Sequence, residues 1–168
     1  MAEEQPPTES GLDRFIAVIE SHASRAPAGW RGSVRVVTAL GDECAYIRLS
    51  DLTRPIQFLR QMAGNPPVRF GVDGFDPAIV DDGNPVRHYM AFVVTGFWLP
   101  ALASLAVLYA WEVLGFFRYG GKWSTKDVTS GMIGLHHGRV VRRHGPWALP
   151  SLVRRDLGME HTALQPPG

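Results

Sequence analysis

Cysteine is nearly absent from this chain: Cys44 is the single one among 168 residues. An internal disulfide and every metal site built from several thiolates are thereby excluded, and Cys44 reads as a structural thiol. A surplus of one charge sign is also missing. With 17 basic and 16 acidic side chains the formal net charge is +1, so nucleic acid is not expected as a partner, because phosphate binding needs a local basic excess. No nucleotide-binding glycine loop, no Gly-x-Ser-x-Gly elbow, no His-Glu-x-x-His pair and no internal repeat occurs. The first ten residues are acidic and proline-containing, the opposite of a secretory signal, and read as a disordered leader over 1–10. Residues 158–168 read as a flexible tail, leaving a single domain over 11–157.

Charge is absent from one further place, and there it is informative. Tyr89 to Trp111 is an uncharged, strongly apolar run bracketed by His88 and Glu112. About 20 such residues suffice to span a bilayer, and aromatic residues gather near the far end at Tyr109, Trp111, Phe116, Phe117 and Tyr119. Arg118, Lys122 and Lys126 follow, which would place the C-terminal side of a span in the cytoplasm. Pro100 argues the other way. Near the middle of the run it removes a backbone hydrogen bond and clashes with the preceding turn, so residues 85–117 also suit a hairpin of two ordinary helices. The predicted location is cytoplasmic for the hairpin and the membrane for a span over 89–111.

The expected fold is mainly α, a small helical domain around this central apolar hairpin. Leu12, Phe15, Ile16 and Ile19 recur at helical spacing and predict a helix over roughly 11–24. Val34-Arg-Val-Val and Ala45-Tyr-Ile-Arg-Leu, separated by Gly41-Asp-Glu-Cys44, suit a short β-hairpin near 33–49, with a helix over part of the region as the alternative. Thr53 to Gly64 predicts a short helix. Residues 64–84, punctuated by prolines and glycines, form a long connector. Its carboxylates Asp73, Asp76, Asp81 and Asp82 lack the spacing of a calcium loop and read as a solvated acidic loop. Asn84-Pro85 predicts a helix start. Ser124-Thr-Lys-Asp127 fits a capping box, opening a helix over 124–138 with Gly131, Gly134 and Gly138 in a stripe that admits a neighbouring backbone. His136-His137 with Arg139, Arg142, Arg143 and His144 reads as a solvated, basic helix end, with contact to phosphates or anionic lipid as the alternative.

The hairpin decides the chemistry. In one straight helix His88 and Glu112 would lie about 36 Å apart; folded at Pro100, both return to the same end. His88, Glu112 and Asp127 are then the candidate catalytic residues, because a histidine and carboxylates can divide into a proton-transfer group and its orienting partner. The same three are the candidate ligands for a divalent metal, the only cofactor the sequence suggests, though their spacing matches no metal signature. Arg87 and Asn84, at the same helix start, are candidates for substrate binding, with Arg87 alternatively neutralising Glu112 as a structural pair.

The stretch Asn84-Pro-Val-Arg-His88, the glutamate on the next helix, and Asp127 followed by Gly131 and Gly134 resemble a group of small uncharacterised bacterial domains. Those domains carry Asn-Gln-x-Arg-His, a helix glutamate and Asp-x-x-x-Gly-x-x-Gly. Pro85 here replaces the glutamine, and the likeness covers only 81–140. It implies that His88, Glu112 and Asp127 matter and favours the hairpin, without supplying a reaction. Three functions follow as expectations: a soluble domain performing acid–base or metal-assisted hydrolysis, a single-span membrane protein, or a non-catalytic interaction module.

Overall fold

The computed structural model describes residues 9–48, 50, 54, 68–80, 83–118, 121 and 123–159. Its described α-helices are α1 (Gly11–Ser24), α2 (Trp30–Ala45), α3 (Pro85–Trp98), α4 (Ala101–Arg118), α5 (Thr125–His144) and α6 (Leu149–Leu157), with a 3-10 turn at Pro146–Ala148. The chain is mainly α, and among the described residues the only β-type contact is a bridge between Phe75 and Gly158.

Local signals account for most boundaries. Ser10 caps α1 by accepting from the Asp13 N–H at 3.1 Å, and the periodic Leu12, Phe15, Ile16 and Ile19 are all buried. Ser124 caps α5 in the same way, accepting from the Asp127 N–H at 3.0 Å. Asn84 occupies the cap position of α3 with Pro85 in the first turn, yet its side chain makes no capping bond. The Arg87 N–H that such a bond would use is taken by the Asn84 main-chain carbonyl at 3.1 Å.

The β-hairpin expected near 33–49 does not form; α2 runs through most of it. Alternating valines suggested strand, but the buried set Gly32, Ser33, Val36, Val37, Leu40, Gly41, Cys44 and Ala45 repeats in adjacent pairs four residues apart, which is a helical stripe. Gly41, expected in a turn, instead lies where an added Cβ would be 2.8 Å from Val94 Cγ2. The helix expected over Thr53–Gly64 lies outside the described residues, as do Asp81 and Asp82. The connector's stretch 68–80 is tied down: the Leu12 N–H donates to the Asp73 carbonyl at 3.0 Å and the Asp76 N–H to the Leu157 carbonyl at 2.9 Å. Phe70 and Phe75 are buried in the core, with Phe70 tilted against Phe15 at 5.3 Å.

The apolar run breaks at Leu99–Pro100 into α3 and α4, a helical hairpin. Among the described residues no helix is long and apolar enough to cross a membrane. The two arms differ in role. Helix α3 is central: Val86, Tyr89, Met90, Val93 and Phe97 are buried in one cluster with Phe15 and Ile19 of α1, Val37 and Leu40 of α2, and Leu149 and Val153 of α6.

Glycines seat α5 on α3. A Cβ on Gly138 would lie 2.2 Å from the Val93 carbonyl oxygen, one on Gly134 2.6 Å from that of Tyr89, and one on Gly96 2.3 Å from that of Leu135. Main chain therefore packs on main chain from both sides. Gly138→Ala should destabilise the fold by about 1–3 kcal/mol or more, because a rigid backbone cannot yield to the added methyl. Gly115→Ala on α4, where nothing lies within 4 Å of the new Cβ, should stabilise by roughly 0.5–1 kcal/mol through helix propensity. Urea denaturation of the two variants measures the contrast.

Candidate functional site

The hairpin brings His88 and Glu112 together. His88 stands in the first turn of α3 and Glu112 in the fourth turn of α4, and Nε2 of the histidine is 3.7 Å from Oε1 of the glutamate, with side chains only 13% and 8% exposed. Asp127 meets them through its main chain: its carbonyl oxygen is 2.8 Å from His88 Nε2. A carbonyl only accepts, so Nε2 carries the hydrogen and donates it there. At 3.7 Å the Glu112 oxygen is beyond hydrogen-bond reach of Nε2. The His88 ring packs on Phe92, 4.9 Å between centroids.

Gly131 makes room for this arrangement. An added Cβ there would meet Leu108 Cδ1 at 2.5 Å and approach His88 Nε2 to 3.4 Å. Phe92, Leu108 and Leu135 close the cluster on its apolar side. Arg87 is half-buried on the same turn of α3. Among the described residues no three histidine, cysteine or acidic side chains form a group that could hold a metal ion.

A second polar network lies deeper, and the sequence reading missed it. His137, expected on a solvated helix end, has no exposed surface. Its ring joins three helices: Nδ1 is 2.8 Å from the Tyr89 hydroxyl on α3, and Nε2 is 2.8 Å from Asp156 Oδ2 on α6. Arg155 holds the same carboxylate with two contacts of 2.6 Å. The guanidinium's hydrogen bonds lower the Asp156 pKa to about 2 against an opposing effect of burial, with His137 adding to the lowering. Burial followed by the Asp156 charge raises Tyr89 well above its ordinary value, so its hydroxyl keeps the proton and donates it to Nδ1. Desolvation lowers His137 despite the opposing carboxylate. A neutral imidazole, accepting at Nδ1 and donating at Nε2, satisfies both partners.

The signal for this network was present in the helix phase. His137 adjoins Gly138 and follows Gly134 by three positions, so it shares the face that α5 turns toward α3. Its neighbours His136, Arg142, Arg143 and His144 are exposed, in accord with a solvated basic end. Cys44 is fully buried, and its thiol is raised above the ordinary range by burial and by the adjacent Glu43 charge, so it is protonated and structural. Comparison with protein-family models, characterised proteins and solved structures found no match.

Tyr89→Phe should cost about 1–3 kcal/mol, since it leaves Nδ1 buried without a donor. The pH dependence has a definite sign. The native pKa of His137 lies below the 6.5 of the unfolded chain, so acid protonates the unfolded state first and stability declines as pH falls below about 6.5. Asp156 acts lower: its stabilisation is complete above its ordinary 3.8 and is lost as pH falls toward 2. Melting curves between pH 7 and 5 should show a decline that is shallower in His137→Gln.

Proposed function

We propose that the chain is a non-catalytic interaction module, with α4 as its working surface and the His88–Glu112 contact as the device that seats that helix. The observation carrying this reading is the exposure of α4. Ser104, Leu108 and Glu112, four residues apart, are its buried positions. Around the rest of the helix Leu102 is 83% exposed, Leu114 65% and Phe117 76%, with Val107, Tyr109, Trp111, Val113 and Phe116 also exposed. Monomers rarely leave a continuous apolar patch larger than a few hundred Å² in water. A helix apolar around most of its circumference is normally covered.

The polar pair fits a seating role. Glu112 is the one charged residue between Ala101 and Phe117, and it faces inward against His88. Nε2 of His88 already spends its hydrogen on the Asp127 carbonyl, so it is not directed at a substrate atom. Hydrolysis by His88 and Glu112 is the second reading, favoured by their 3.7 Å approach.

Detergent binding tests the surface. In a mild nonionic detergent above its micelle concentration, the wild type should carry bound detergent mass, measured by light scattering after size exclusion. A Leu102→Glu, Leu114→Glu, Phe117→Glu triple variant should carry none while keeping its helical circular dichroism. A wild-type chain that stays monomeric and binds no detergent overturns the reading. For the polar pair, His88→Gln and Glu112→Gln should each lower the melting temperature; hydrolytic turnover abolished in both variants with the fold retained would establish catalysis instead.

A further inference from the structure

We infer that the partner of α4 is α4 of a second copy of this chain, packed antiparallel about a two-fold axis at Ala110. The inference rests on reading α4 as the working surface and adds the identity of its occupant.

Charge is the first argument. From Ala101 to Phe117 the exposed face carries no ionised side chain, because Glu112 is turned inward. A complementary surface must itself be uncharged and apolar, since any charge set against this face would be desolvated without a partner. Another copy of the same face meets that requirement, with no like-charge repulsion between the two.

Size is the second. On the side away from the buried stripe a line runs through Ala103, Ala106, Ala110, Leu114 and Phe117, at spacings of three and four, all exposed and flanked by the exposed Leu102 and Val113; along that line a size gradient is present. The side chains are small on the N-terminal side of Ala110 and large on the C-terminal side. Turning a second helix end for end about Ala110 sets Phe117 of one copy opposite Ala103 of the other and Leu114 level with Ala106. Large then meets small at the two outer levels, and at the centre Ala110 meets its own copy, which lets the axes approach closely. A parallel pair would crowd Phe117 against itself and leave a gap at Ala103. The contact is isologous and closes on two copies.

Area is the third. The exposed apolar side chains of α4 present on the order of 1,000 Å², given their exposures and full areas of roughly 150–250 Å² for the aromatic ones. A stable interface uses about 800 Å² per partner. Reaching that size takes the central line together with its flanks Leu102, Val107 and Val113, which are also exposed.

Sedimentation velocity without detergent should give a mass of twice 18.5 kDa for the wild type, falling to the single mass in Leu114→Glu. Disulfide trapping locates the axis, and the buried Cys44 leaves the background clean. Under mild oxidation Ala110→Cys should convert to a covalent dimer. Ala103→Cys and Phe117→Cys should each remain uncoupled alone and couple when mixed. Equal coupling at all three positions, or efficient self-coupling at Phe117→Cys, overturns the antiparallel register. A wild-type monomer at tens of micromolar that still binds detergent overturns the self-pairing and leaves the interaction-module reading standing; a monomer that binds none removes both.

Discussion

Gly134 and Gly138 of α5 lie against the main chain of α3, and Gly96 of α3 lies against the main chain of α5. Because no Cβ separates the two helices, their backbones set the distance and the angle between them, and flexible side chains have little freedom to alter either. Both polar networks inherit their geometry from this contact. His88 and Tyr89 leave α3 on adjacent positions; one reaches the Asp127 carbonyl at the start of α5 and the other reaches His137 three turns along it. A shift of α5 by one residue would break both at once.

The two networks sit in different environments. His137 is sealed among Tyr89, Asp156 and the core, where a neutral ring with both nitrogens bonded avoids the cost of a buried charge. Arg155 keeps the Asp156 carboxylate ionised from the solvent side, which completes the network without bringing a cation inside. His88 and Glu112 lie nearer the surface and join α3 to α4, whose other inward contacts are few. Setting the only acidic residue of α4 against a histidine fits the proposed role of this contact in orienting the helix. The apolar remainder is thereby left facing outward.

Several elements were legible from the chain alone because their signals are local. The stripe of Leu12, Phe15, Ile16 and Ile19, the serine cap before Asp127 and the break at Pro100 each act within one or two turns. The hairpin, one of the two arrangements the apolar run allowed, and with it the meeting of His88 and Glu112, followed from Pro100. The reading failed where two local signals competed. Valines in α2 favour extended chain by propensity, but their helical phase lets Val36, Val37 and Leu40 reach the core, and tertiary burial outweighs propensity.

By itself, then, the amino-acid sequence determined the helical class, the position of the hairpin and the glycine face of α5, since each depends on the periodicity or geometry of neighbouring residues. Only the tertiary structure decided that His137 is interior while His136 beside it is not, that Asp127 approaches His88 with its carbonyl, and that α3 is buried while α4 is exposed. Those outcomes depend on which face meets which neighbour. Two helices of similar apolarity have no local property that assigns one to the core; close packing of α5 on α3 makes that assignment and leaves α4 outside.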